Sequence, residues 1–196
     1  MRMTTKKLAT MALLTAVALI VFIIEAQIPL PLPIPGVKLG LANTVTLFAL
    51  FWGRMDVERA SVSRASDSHA DDKRAGNAKN TLTTAEVFMV LLCRIILGVV
   101  FTGRIIALIY SVAGGLLAFA AQAAMKRLVT NRQIWACGAV GAIFHNIGQI
   151  LAAMIVTGTP SIVAYLPLLI IAGTITGVVT GLVAQFTLAR LRGNDN

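Results

Sequence analysis

The sequence predicts an all-α integral membrane protein of six transmembrane helices, with N- and C-termini on the cytoplasmic side. Three observations predict it. The 196-residue chain is 57% hydrophobic and only 13% charged, with a mean hydropathy of +0.83, too apolar for a surface that faces water throughout. Its apolar stretches are long enough to cross a hydrocarbon core, which takes about 20 residues of helix. Its basic residues alternate with those stretches. Of the 17 Lys and Arg, all but Lys38, Arg94 and Arg104 fall in the clusters Arg2/Lys6/Lys7, Arg54/Arg59/Arg64/Lys73/Arg74/Lys79, Lys126/Arg127/Arg132 and Arg190/Arg192. If every cluster stays in the cytoplasm, the chain crosses the bilayer twice between successive clusters. The same layout accounts for the net charge of +9 without nucleic acid as a partner. It points to a multi-pass protein of the plasma (inner) membrane, a single domain over 1–196 with the lipid bilayer as its surroundings.

The expected spans are about 8–28, 37–53, 85–103, 105–125, 133–157 and 163–189. The first follows Arg2 to Lys7 and is read as an uncleaved helix, because no small-x-small cleavage site follows Ile24. Pro29, Pro31, Pro33 and Pro35 come next, and prolines at every second position forbid a helix and favour a stiff extended rod. Such a rod suits a lid over a cavity or a plain interfacial connector. The second span is the shortest and has Lys38 near its start, so a partly re-entrant segment buried in protein is the alternative. Residues 54–84 are polar, with almost no large apolar side chains, and are expected to form a disordered cytoplasmic loop. His69, Asp71 and Asp72 in that loop have no fixed geometry to hold a metal, and none is expected. Cys93 and Cys137 lie in apolar segments without metal-type spacing and read as small buried hydrophobes.

Polar residues inside the spans carry the functional signal. A Lys or Arg at mid-bilayer costs about 2.5–3.5 kcal/mol even on lenient insertion scales, so each needs a partner or a task. Arg94 is near the middle of the third span; it either binds an anionic group of a ligand or pairs with Glu25, the one acid in the outer half. Lys38 and Arg104 stand at the outer ends of spans two and four, where each could snorkel to the headgroups. Together with Arg94, and against the single Glu25, they leave an excess of positive charge that favours an anionic ligand. The fifth span centres on His145, Asn146 and Gln149, which share adjoining faces at i, i+3 and i+4 spacing and read as ligand contacts or as hydrogen-bonding glue between helices. Asn43 raises the same choice on span two. Gly173, Gly177 and Gly181 form GxxxGxxxG on span six, and Ala9, Ala12 and Ala16 give span one a small-residue face; both patterns let another helix approach closely. No Ser-His-Asp order, paired acids or phosphate-cradling loop stands out, and no cofactor is expected.

The segments IPLPLPIPGVKLGLAN over Ile28–Asn43, RIILG over Arg94–Gly98, YSVAGG over Tyr110–Gly115, HNIGQ over His145–Gln149, TGTP from Thr157 and YLP from Tyr165 carry a resemblance. The chain resembles the Gx transporter family, also labelled heptaprenyl diphosphate synthase component I, and is similar to the S components of energy-coupling factor transporters. The resemblance implies an S-component-like bundle that binds a vitamin or related nutrient near the outer face, with the loops after spans one, three and five as gates. It implies a ligand site drawn from Lys38, Asn43, Arg94, Arg104, His145, Asn146 and Gln149. It further implies docking of a coupling transmembrane subunit at Ala9, Ala12 and Ala16, with energy from separate ATPases. The synthase label supplies the alternative, a noncatalytic membrane component of heptaprenyl diphosphate or quinone-precursor metabolism. Catalysis by the chain alone is not expected, because six of its eight acids, Asp56, Glu58, Asp67, Asp71, Asp72 and Asp195, lie in loops or at the tail. Prenyl elongation needs clustered acids to hold metal.

Overall fold

A computed structural model describes residues 4–28, 38–52 and 82–193, and among these it holds helices and no strands. Helix α1 runs over Thr5–Glu25 and opens on Thr4, whose hydroxyl accepts from the Lys7 N–H at 3.4 Å. Helix α2 covers Asn43–Trp52. Helix α3, Thr84–Thr102, starts at a full capping box, in which the Thr83 hydroxyl accepts from the Glu86 N–H and the Glu86 carboxylate accepts from the Thr83 N–H. It ends at Gly103, whose φ of 65° turns the chain straight into α4, Ile105–Met125. Helix α5, Ile134–Thr157, ends in the same way at Gly158. A 3-10 turn over Pro160–Tyr165 then leads into α6, Leu166–Gly193.

Five of these helices are long and apolar enough to cross a membrane. Large apolar side chains stand exposed along α1, α3, α5 and α6, among them Ile20, Val100, Ile155 and Ile175. Only hydrocarbon covers such a surface on every side, so this is a multi-pass membrane protein. The expected spans 8–28, 85–103, 105–125 and 133–157 correspond to α1, α3, α4 and α5. The sixth begins differently: residues 163–165 belong to the 3-10 turn, because Pro167 has no N–H to donate to the Val163 carbonyl and its ring crowds that carbonyl in an α-turn. The second, expected over 37–53, is helical only over Asn43–Trp52 among the described residues. Ten residues rise about 15 Å, half of the hydrocarbon thickness. The proline-rich run and most of the 54–84 loop lie outside the described residues. The end of that loop is ordered, since Leu82 is buried, Thr83 is the cap and Thr84 already belongs to α3.

α5 is the centre of the bundle and packs against both α4 and α6. Helices in lipid gain little from hiding apolar surface, so they associate where small residues let backbones meet. A Cβ on Gly177 would lie 2.7 Å from the Gly138 carbonyl oxygen, and one on Gly148 would lie 2.6 Å from that of Ala113. The glycine series of α6 is therefore spent on α5 and does not await a partner. Ala9, Ala12 and Ala16 of α1, by contrast, are exposed. Of the two cysteines Cys137 is buried, whereas Cys93 is exposed on α3, which corrects its expected burial.

At the end of the bundle where α1 and α3 begin, the Lys7 ammonium meets the Glu86 carboxylate at 2.7 Å with both side chains nearly fully buried. Lys7 thus does more than mark topology: it ties α1 to α3. Breaking a buried pair from one side costs about 3–5 kcal/mol, whereas replacing both partners by apolar groups is often neutral. Glu86→Gln keeps the capping geometry and leaves Lys7 unpaired. This variant is expected to unfold at a clearly lower temperature in detergent, and adding Lys7→Met to it is expected to restore most of the loss; equal melting of the single and double variants would contradict the pairing.

Candidate functional site

The site begins with a turn that the sequence forces. Gly40 has φ of 83°, a conformation that glycine adopts freely. A Cβ there would also sit 2.7 Å from Cδ2 of His145. The turn leaves the N–H groups of Gly40 and Leu41 without helical partners, and the buried carboxylate of Glu25 accepts both. Glu25 therefore caps the approach to α2 from the end of α1, where negative charge meets the positive end of a helix. No ion pair within 4.0 Å joins Glu25 to Arg94 among the described residues, although Glu25 lies within electrostatic reach of both Arg94 and Lys38. Of the two sequence readings of Arg94, the direct pair with Glu25 is not the one observed.

From this turn a chain of hydrogen bonds crosses the bundle. The Lys38 N–H donates to Oε1 of Gln149 at 3.0 Å, and Nε2 of Gln149 lies 2.8 Å from Nε2 of His145. The other ring nitrogen, Nδ1, lies 2.9 Å from Nδ2 of Asn43, whose Oδ1 accepts from Nη2 of Arg94 at 3.2 Å. All five residues are buried, Arg94 to 2% exposure and Gln149 to 1%. The Lys38 ammonium lies 3.1 Å from the centre of the Phe22 ring, a cation–π contact. Phe22 reaches that position because Gly98 has no side chain, a Cβ there falling 2.7 Å from its Cε1.

The chain of contacts cannot be satisfied as it stands. Each amide offers one donating and one accepting end, a neutral imidazole one of each, and the Lys38 N–H and the Arg94 guanidinium only donate. Four contacts in series need four acceptors, and Gln149, His145 and Asn43 supply three. Turning either amide or changing the histidine tautomer moves the mismatch without removing it, and protonating His145 worsens it. With Gln149 donating to Nε2, the ring proton sits on Nδ1, and the clash falls between it and the Asn43 amide N–H. Arg94 adds to the surplus, because its Nε has no partner either. The cluster is short of one acceptor and holds a buried cation beside the gap.

The structure thus brings together Lys38, Asn43, Arg94, His145 and Gln149 from α2, α3, α5 and the turn. It does not bring in the other two expected residues. Asn146 turns to α6, where its Nδ2 donates to the Leu169 carbonyl at 2.7 Å; one residue along a helix is a rotation of about 100°, enough to change neighbours. Arg104 is exposed before the first turn of α4 and interacts with Lys38 through charge alone. Sequence reasoning missed a narrow cleft running from Leu39 and Asn43 toward the opposite end of the bundle, lined by Thr44, Gln122, Thr176 and Thr180, with room for about one water molecule. Gln122 is a lone amide in an alanine-rich helical stretch, which was the available signal. Among the described residues no three His, Cys, Asp or Glu side chains gather as a metal site would require.

The comparison with known families follows from these elements. The model of the heptaprenyl diphosphate synthase component I family matches residues 14–62 and 78–187. The chain belongs to that family. The match takes in all five residues of the buried chain, Glu25 and Gln122, and passes over 63–77, inside the polar loop. No curated protein and no solved structure matches the chain.

If Arg94 is the surplus donor, removing it relieves the mismatch. Arg94→Met is therefore expected to melt at or above the wild-type temperature without ligand. Asn43→Leu, which strips partners from both His145 and Arg94, is expected to cost about 1–3 kcal/mol. Thermal unfolding of the two purified variants checks the sign of each; a lower melting temperature for Arg94→Met than for Asn43→Leu contradicts the donor count.

Proposed function

We propose that this family member is the substrate-binding membrane subunit of a small-molecule uptake transporter, and that it captures an anionic nutrient or cofactor precursor. The observation that carries the reading is the buried, acceptor-deficient chain ending on Arg94. A carboxylate or phosphate that takes the Arg94 guanidinium supplies the missing acceptor and offsets the buried charge. Asn43 is then free to turn its oxygen to the His145 ring N–H, Gln149 donates to the other ring nitrogen, and the Lys38 N–H keeps its place on Gln149. Every group in the chain is paired once the anion is bound. Because Lys38 belongs to the turn before α2, ligand binding and the order of that turn reinforce each other.

In this reading the chain has six spans with both termini cytoplasmic, the site faces the outer half of the membrane, and the turns after α1, α3 and α5 lie around its entrance. The bundle is S-component-like. The exposed Ala9, Ala12 and Ala16 are the surface for a coupling transmembrane subunit served by separate ATPases. In this reading the chain is not an enzyme, and the buried polar groups of the described residues hold and orient the ligand.

The family's description favours a second reading, a noncatalytic membrane component that assists a soluble prenyl diphosphate synthase. What co-purifies from native membranes distinguishes the two. Native mass spectrometry of the wild-type protein is expected to show a bound anionic small molecule and a membrane subunit with ATPases. Arg94→Met is expected to lose the small molecule, and Gln149→Ala to weaken its retention at least tenfold, as loss of a buried charge-linked hydrogen bond implies. A soluble synthase that depends on this chain for activity, with no ligand on the wild type, would favour the second reading.

A further inference from the structure

The cleft beside the Arg94 chain has the opposite hydrogen-bonding character. Gln122 is exposed by only 2%, lines the cleft, and its Oε1 has no partner. The Thr44 hydroxyl is buried and unpartnered as well. Thr176 and Thr180 also line the cleft, but their protons are spent on their own helix: the Thr176 hydroxyl donates to the Ala172 carbonyl at 3.0 Å and that of Thr180 to Gly177 at 3.3 Å. Such hydroxyls offer only lone pairs to a neighbour. Three of the four side chains therefore present oxygen acceptors that lack a donor, in a membrane interior where no bulk water supplies one.

Asn43 lines this cleft and also carries the contact to Arg94, so the donor-rich chain and the acceptor-rich cleft share a wall. We infer that they are two halves of one site, and that the ligand joins an anionic group to a single hydroxyl or amino group, the anion on Arg94 and the donor seated between Gln122 and Thr180. This rests on the proposed capture of an anion and adds the chemistry of its other end. The room in the cleft suits it: space for about one water is space for one O–H or N–H group, and a ligand group that reproduces the water's hydrogen bonds displaces it without loss. Gly138 and Gly177, which lie along the cleft, keep that space open, whereas a long apolar chain would leave every acceptor unmet.

The test titrates the full-length protein in lipid nanodiscs with two series of probes: the carboxylates from acetate to pentanoate, and their terminal hydroxy counterparts from glycolate to 5-hydroxypentanoate. At least one hydroxy acid is expected to bind about tenfold more tightly than its parent, the value of one buried hydrogen bond. Gln122→Met is expected to abolish that advantage, the hydroxy acid weakening while the parent acid, whose alkyl end no longer meets a bare amide oxygen, holds or gains. Thr180→Val, a milder change, is expected to reduce it. Carboxylates that bind with no preference for a hydroxyl, or a preference that survives Gln122→Met and Thr180→Val, would overturn the two-ended ligand and leave anion capture standing. If no carboxylate binds the wild type while Arg94→Met behaves identically, anion capture fails and the inference fails with it.

Discussion

A helix surrounded by hydrocarbon gains almost nothing by burying apolar side chains, so this bundle depends on how closely backbones can approach α5. Gly138 meets Gly177 on one side, and Gly148 meets Ala113 and Gly114 on the other. These contacts fix α4 and α6 against α5 on sides about 80° apart around its axis, and His145 and Gln149, further along the helix than Gly138, meet the turn before α2. Gly40 and Gly114 then lie so close to the His145 ring that no side chain fits between. The polar chain is held in register by the same absence of side chains that holds the helices together.

Within that frame the charges divide by end. Lys7 and Glu86 satisfy each other at one end, and their pairing is structural. At the other, Glu25 is occupied by the backbone of Gly40 and Leu41, so its charge steadies a turn and only partly offsets Lys38 and Arg94. Lys38 rests on Phe22, which leaves the Arg94 guanidinium as the least satisfied cation of the described interior. The one nearby acid is committed to a turn, and it is this shortage of negative charge on which the proposed anion capture rests.

Much of this was legible in the sequence. Hydropathy and charge order give four of the long helices nearly to the residue, and Arg94, His145, Gln149, Asn43 and Lys38 were each marked by polarity in an apolar setting. What the sequence could not give is direction around a helix when two polar residues are adjacent. Asn146 and His145 differ by one position and face different helices. Nor could it reveal that Glu25 would be claimed by backbone groups 15 and 16 residues away, since a carboxylate's choice between a cation and two N–H groups is settled by geometry. Thr176 and Thr180 were hidden for another reason: each is an ordinary helix residue until the neighbouring glycines open a space in front of it, whereas Gln122 was marked only as an amide among alanines. Where the sixth span passes from 3-10 to α geometry was not legible, because the period of a 3-10 turn is hard to tell from an α-helix across six residues.

The contact between Lys38 and Gln149 spans 111 positions of sequence. During synthesis, α1 and the short α2 enter the membrane long before α5 leaves the ribosome, and α2, at ten described residues, has little of its own to keep it there. Its polar contacts arrive in order: first Glu25, then Arg94 with α3, and last His145 and Gln149 with α5, the third helix to follow it. The buried polar chain is consequently completed only after α5 has entered. A chain that ends before α5 would leave the Lys38 N–H and the Asn43 amide without the partners that α5 supplies.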